Sequence, residues 1–561
     1  MFRKITACVS LFASVAIAQV SVLKPAFGTN GMVSTSDSIA TAVGVNILKE
    51  GGNAVDAAVA IGFVLAVTYP QAGNLGGGGY YLIHLADGRN YAIDAREKAP
   101  SGASRNMYLD KEGNVIPGES LIGGLSVGVP GNVDGLVLAE KKFGKLALKQ
   151  VMAPAIELAL HGFRVDPHLD LAFKHDFHLF KRFPSTLKYF SRDGVPLGRG
   201  ELLVQKDLAR VLQKIAVDGR DGFYRGEVSE LIAKQDDASG GIITAKDIEN
   251  YHAVIREPIK VNYRGYEVMS MPPSSSGGVC LAEMLNILSY FDLNKYGYGA
   301  SQSLHYEAEA MRRAFADRDK YLGDVDFVSV PLKRLLSKTY ADSIAAKIDP
   351  FSATPSADIY PGLIHPPKEG THTTHYSVID REGNAVSVTT TLNSYFGSMV
   401  VVNGAGFFLN NEMDDFSAKP GTPNQFGAIG AEANSIGPNK RMLSSMTPTI
   451  VLKNGKPYLI LGSPGGTTII NAVLEVILNV IDYHMPLADA VIAGRIHMQW
   501  VPDIVRYEPG AIVYDVKNNL ISRGYKLEEI PSIGEVQTIM VTGAGYEGVA
   551  DPRGVGTAEG Y

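Results

Sequence analysis

The chain has 561 residues, 45% of them hydrophobic and 20% charged, with a formal net charge of −6. That composition excludes a disordered or fibrous protein, and the mildly acidic balance gives no support for nucleic-acid or anionic-membrane binding. The length admits one very large core or two to three domains.

In chain order, residues 1–18 read as a signal peptide: Arg3 and Lys4, an apolar run from Ile5, and Ala16-Ile17-Ala18 as a small-residue cleavage site. The run is too short to span a membrane, so an exported protein with no stable anchor is expected. Cys8 leaves with it and Cys280 has no intrachain partner, so the core must hold the protein together without a disulfide. Apolar spacing predicts helices over 36–51, 146–161, 302–321 and 468–482. The stretch 54–67 is Ala-rich but carries Asp56 and is shorter than a spanning helix, which predicts a buried helix. Glycines 76–79 lack the Lys-Ser/Thr of a phosphate loop and read as close backbone packing or a turn.

Between 349 and 372 the sequence turns proline-rich and loses periodicity, which reads as an exposed linker ending at a cleavage site. A cut just before Thr373 would divide the mature chain into roughly two thirds and one third. Thr373 then carries a hydroxyl nucleophile and a free amine on one residue. An α-amino group titrates near pH 8 and serves as the base. The bland alternative is that Thr373-Thr374 merely opens a strand.

The residues after Thr373 predict a hairpin: a strand over 374–380, a loop 381–383 with Gly383 in the left-handed position, and a strand over 385–392. Pairing centred on Glu382 sets position 373 opposite Thr391. A second hairpin, 447–453 and 456–462, turns at Asn454-Gly455. Ser463-Pro464-Gly465-Gly466-Thr467 follows, just before a helix. Its N–H groups suit an oxyanion hole, with a plain strand-to-helix turn as the alternative.

These segments, with DAREKAP (94–100), GNLGGGGY (73–80), MPPSSSGG (271–278), TTTLNSYFGS (389–398), LNNEMDDFSAKPG (409–421) and GPNKRMLSSMTPTIV (437–451), resemble the gamma-glutamyltransferases. The resemblance runs over essentially the whole mature chain. It implies autocatalytic cleavage between His372 and Thr373 into a large subunit, 19–372, and a small catalytic subunit, 373–561, and an α+β fold, the four-layer αββα sandwich of N-terminal nucleophile hydrolases, built jointly by both subunits as a heterodimer. It implies Thr373 as nucleophile and Thr391 as its companion, with Gly465 and Gly466 forming the oxyanion hole. Arg96, Ser444 and Ser445 would hold the substrate α-carboxylate, and Asp415, Glu412 and Asn393 its α-amine. The expected activity is cleavage of gamma-glutamyl amides, glutathione or glutamine among them, with transfer to water, amino acids or dipeptides. No cofactor is implied. His372 and His375 lack the acid or cysteine cluster that zinc needs, so exposed or locally bonded histidines are expected.

Three positions depart from the family pattern: His372 before the nucleophile, Phe426 where many relatives carry a lid tyrosine, and Thr467-Thr468 in place of Ser-Arg. Phe426 keeps aromatic cover without a hydroxyl, which predicts a looser lid. Two other readings remain: an acylase for dicarboxylic side chains, and an unprocessed binding protein.

Overall fold

The computed structural model describes residues 23–359 and 373–561. The signal-peptide reading, His372 and residues 360–372 lie outside them. Fourteen strands make two antiparallel sheets. In chain order they are β1 (Ala26–Gly28), β2 (Gly31–Thr35), β3 (Gly78–His84), β4 (Asn90–Ala95), β5 (Val254–Arg256), β6 (Ile259–Tyr263), β7 (Tyr266–Ser270), β8 (Thr373–Asp380), β9 (Ala385–Thr391), β10 (Thr449–Lys453), β11 (Lys456–Gly462), β12 (Gln537–Val541), β13 (Tyr546–Ala550) and β14 (Thr557–Gly560). One sheet has the order β14-β2-β8-β9-β3-β4-β5, the other β1-β13-β12-β11-β10-β7-β6.

The period-2 alternation of each strand sorts its side chains into two layers. On the first sheet Val33, Tyr81, Ile83, Val378 and Val388 pack on α1 (Ser38–Lys49) and α2 (Ala54–Thr68), whereas Met32, Tyr80, Leu82 and Ile379 face the second sheet. On that second sheet Val451, Leu459 and Leu461 pack toward three further helices, while Met269, Ile450, Ile460 and Ile539 complete the inner layer. The product is an αββα sandwich of two aligned sheets. Its other helices used below are α3 (Leu148–His161), α4 (Pro167–Phe180), α5 (Gly277–Leu288), α6 (Ser301–Tyr321) and α7 (Thr468–Ile481).

The helix expectations hold with small changes at the ends. α1 begins at Ser38 because Asp37 caps it, its carboxylate accepting from the Ala40 N–H at 2.8 Å. Every residue of α2 is buried, as expected for 54–67. The glycines of 76–79 are sites of close packing: a Cβ on Gly76 would meet the Phe408 carbonyl at 2.1 Å, and one on Gly77 the Thr391 carbonyl at 2.1 Å. At the second hairpin the strand starts at Thr449, after Pro448, which has no N–H to give a ladder. The described part of the proline-rich stretch is partly docked. Ser356 is buried, with its Oγ donating to the Trp500 carbonyl at 2.5 Å and its own carbonyl accepting from Trp500 Nε1 at 2.9 Å.

The inner layer changes character along its length. At the Ile379 end it is apolar. Toward Thr373 it fills with hydroxyls that stitch the sheets together: Ser377 Oγ donates to the Gln537 carbonyl at 3.1 Å, and Ser387 Oγ to the Leu461 carbonyl at 3.0 Å. The Ser377 and Ser387 hydroxyls thus each have a partner, without which a buried hydroxyl would cost about 1–3 kcal/mol.

Candidate active site

The register of the central hairpin matches the pairing read from the loop. Thr373 lies opposite Thr391, and Gly383 takes a φ of 92°. Asp380 pins this loop by accepting from the Glu382 and Asn384 N–H groups at 2.9 and 3.0 Å. At the other end of the hairpin Thr373 Oγ1 and Thr391 Oγ1 stand 3.5 Å apart. Thr391 Oγ1 also accepts from the Asn393 N–H at 2.8 Å, and the Asn393 amide donates to the Asn411 carbonyl at 3.0 Å. Asn393 sits at a φ of 76°, a left-handed backbone that asparagine tolerates better than most residues and that often marks a functional site.

His375 points the same way as Thr373, two residues along β8. It is fully buried and locally bonded, with Nδ1 2.8 Å from Thr389 Oγ1 and Nε2 3.2 Å from Ser377 Oγ. Burial pushes its pKa down to about 3, so the ring is neutral. The ring presses on Gly462, where a Cβ would approach it to 2.2 Å. His375 therefore packs the Thr373 strand against the strand that leads into the glycine turn.

That turn carries Gly465 at φ 137° and Gly466 at φ 58°, and a Cβ on Gly465 would meet Thr468 Oγ1 at 2.5 Å. Among the described residues neither glycine N–H donates to a protein acceptor. Both precede the N-terminus of α7, where backbone dipoles favour negative charge.

Thr373, Thr391 and Gly466 line one pocket of about 30 Å³ together with Arg96, Asn393, Glu412, Asp415, Phe426, Ser444 and Ser445. Every candidate residue within the described chain thus converges, Gly465 being the immediate neighbour of Gly466. Arg96 follows β4 and is fully buried. It donates to the Met442 and Leu443 carbonyls at 3.2 and 3.3 Å, pairs with Glu412, and lies 2.5 Å from Asp415 and 3.5 Å from Glu97. Three carboxylates therefore share one guanidinium. Burial raises Glu97 to about 7 and moves Glu412 and Asp415 upward as well. Burial alone would lower Arg96, but Glu412, Asp415 and Glu97 outweigh it and hold the guanidinium charged.

Sequence reasoning missed Arg318 and Asn424. Arg318, on α6, reaches Ser445 Oγ at 3.3 Å and Ser276 Oγ at 3.1 Å while pairing with Asp319 at 2.7 Å. The Asn424 amide donates to Asp415 at 2.8 Å. Neither carries a local signal, since Arg318 lies in a helix already rich in charge.

Phe426 covers the pocket and is only 6% exposed. The cover is tied down by the Gln425 N–H on Asp414 at 3.0 Å and by Gln499, which accepts from Thr467 Oγ1 at 2.6 Å and donates to the Gly427 carbonyl at 3.3 Å. Thr467, one of the departures from the family pattern, thus has a structural part in holding the cover.

Two facing antiparallel sheets between helix layers, with a threonine-headed hairpin opening into a polar pocket, define the N-terminal nucleophile class of hydrolases. The crystal structure of cephalosporin acylase from Bacillus halodurans has this fold, with a TM-score of 0.83 at 28% identity over 98% of this chain and 99% of its own. The family model for gamma-glutamyltranspeptidase matches residues 40–561. The glutathione hydrolase proenzyme of Escherichia coli (strain K12) is 49% identical over 536 residues, covering 95% of this chain and 92% of that protein. A chain of the Helicobacter pylori gamma-glutamyltranspeptidase crystal structure is 48% identical, with a TM-score of 0.57, over 59% of this chain and 95% of its own. The protein belongs to the gamma-glutamyltranspeptidase family.

No helix among the described residues is long and apolar enough to cross a membrane.

Proposed function

We propose that the protein is an exported proenzyme that cuts itself before Thr373 and then hydrolyses or transfers gamma-glutamyl groups, glutathione being a natural donor. The observation that carries this reading is the convergence of the Thr373–Thr391 pair, the Gly466 turn and the Arg96–Asp415–Glu412 set on one pocket. A gamma-glutamyl head is a zwitterion. Its α-carboxylate takes Arg96 donors with the Ser444 and Ser445 hydroxyls, and its α-ammonium takes Asp415 and Glu412. The two halves of the substrate thereby replace the ion pairs that the pocket residues make with each other.

Cleavage of the precursor uses the Thr373 hydroxyl on the preceding carbonyl. The resulting ester is hydrolysed and frees the amine, leaving 19–372 and 373–561 as one heterodimer. In turnover Thr373 Oγ1 attacks the gamma-amide carbon, the amine accepts its proton, and the Gly465 and Gly466 N–H groups hold the oxyanion. The leaving amine takes the proton as the C–N bond breaks. Water or a second amine then cleaves the ester.

Parallel assays of gamma-glutamyl and glutaryl p-nitroanilide test the reading. Fast release from the first alone supports it. Equal rates would favour a dicarboxylic acylase, in keeping with the cephalosporin acylase likeness, because a glutaryl group has no ammonium for Asp415 to hold.

A further inference from the structure

The proposed chemistry leaves MPPSSSGG (271–278) without a role, although it is one of the motifs behind the resemblance. In the fold this segment runs alongside the serine pair of the pocket. The Ser444 N–H donates to the Ser274 carbonyl at 3.0 Å, and the Ser444 carbonyl accepts from the Ser276 N–H at 2.7 Å and from Ser276 Oγ at 2.6 Å. So close an approach needs the glycine that follows, since a Cβ on Gly277 would collide with Thr447 Oγ1.

Arg318, in the last turn of α6, spans the two segments. Its Nε donates to Ser276 Oγ at 3.1 Å and one terminal nitrogen to Ser445 Oγ at 3.3 Å, while Asp319 holds the other terminal nitrogen at 2.7 Å. Arg318 is 5% exposed and still lines the pocket. The Ser276 hydroxyl proton is committed to the Ser444 carbonyl, which leaves its oxygen to accept from Arg318. Ser445 is the opposite case: its oxygen receives the guanidinium N–H, and its proton has no acceptor among the described residues. Ser444 Oγ likewise receives the Met446 N–H at 3.1 Å and has no acceptor for its proton among them. A hydroxyl has one proton and two lone pairs, so an N–H on the oxygen turns the O–H away from that donor. Both protons are thereby free for a ligand in the pocket.

We propose that Arg318 is a positioning residue for the substrate α-carboxylate: held by Ser276 and Asp319, its guanidinium fixes the Ser445 hydroxyl with the proton directed at the pocket. The inference rests on the proposed gamma-glutamyl reading. Arg96 does not suffice, because its N–H groups are engaged by Glu412, Asp415, Glu97 and two carbonyls until the substrate displaces the acids. The oriented Ser445 hydroxyl is available from the outset. Lysine is no substitute for this arginine, since a single ammonium does not reach Ser276, Ser445 and Asp319 from one planar fork.

The test is a double-mutant cycle on kcat/KM for gamma-glutamyl p-nitroanilide, run on processed protein. Arg318→Lys keeps the charge and should lower kcat/KM about tenfold, chiefly through KM, and Ser445→Ala should do the same. The double variant should lose no more than about twofold beyond Ser445→Ala, because the hydroxyl through which Arg318 acts is already gone. A merely structural arginine predicts losses that multiply to about 100-fold, and that result, or an unchanged Arg318→Lys, overturns the proposal. If Arg318→Lys stays one uncut chain, Ser276→Ala takes its place in the cycle, since it keeps the guanidinium but frees one edge. A loss of about threefold that vanishes in the Ser445→Ala background is then expected. No loss, or the same loss in both backgrounds, overturns the proposal. Wild-type inactivity on gamma-glutamyl p-nitroanilide overturns the gamma-glutamyl reading and this inference with it, whereas an active wild type with multiplying losses overturns this inference alone.

Discussion

The polar pocket and an apolar cleft beside it share a wall but solve opposite problems. The pocket is small and its charges are already paired: Arg96 is satisfied by Asp415, Glu412 and two carbonyls before any substrate arrives. The cleft, lined by Leu121, Ile122, Leu171, Leu179 and Met399 among others, is far larger, about 840 Å³ against about 30 Å³, and Lys174 and His175 at its edge are exposed. The difference teaches where selectivity resides. A buried ion-paired set admits only a ligand that supplies both charges in the right places, because half a match leaves a buried charge alone. An apolar cleft grades ligands by size and rejects few outright. Under the proposed function, strict recognition of the glutamyl head is what the paired pocket predicts.

The largest expected effect comes from removing the proposed nucleophile. Thr373→Ala should leave a full-length chain on a denaturing gel and lower turnover by roughly ten-thousand-fold or more. Asp415→Asn should lower kcat/KM for gamma-glutamyl p-nitroanilide about 100-fold while costing glutaryl p-nitroanilide far less, since only the first brings an ammonium. Equal losses would mean Asp415 acts through folding alone. His375→Ala removes a buried ring and should destabilise the protein by about 2–4 kcal/mol in denaturant unfolding.

A smaller effect is set by pH. Burial raises Glu412 and Asp415, and Glu97 to about 7, so these groups take up protons above the usual carboxylate range. A neutral carboxyl holds an ammonium poorly. Because burial raises Glu412 and Asp415, KM for gamma-glutamyl substrates should start to rise at a higher pH than ordinary carboxylates would set as the medium is acidified, with kcat changing less. Stability moves the other way. A carboxyl whose folded pKa is raised stabilises below its unfolded value, 4.5 for Glu97, and loses that contribution as pH rises through about 7. Thermal unfolding across that range checks the sign.

The pocket was far more legible in the sequence than the cleft. A hairpin loop with a left-handed glycine fixes register by counting, which is why Thr391 was placed opposite Thr373 from local residues alone. The glycine turn, Arg96 and the Asp415 segment lie in motifs long enough to carry a resemblance. Arg318 and the cleft had no such mark. α4 was not among the helices read from apolar spacing, and nothing local says that the wall it faces is made of residues 394, 411 and 425. The mutual pairing of Arg96 with Asp415 and Glu412 was equally invisible, because residues some 320 positions apart meet only in the fold.

The most direct test of the central claim is the N-terminal sequence of the smaller fragment from purified, active protein. Threonine at the first position, followed by Thr-His-Tyr-Ser, places the nucleophile at residue 373 with its own amine as base. An active enzyme that remains one uncut chain, or whose fragment starts at another residue, contradicts it.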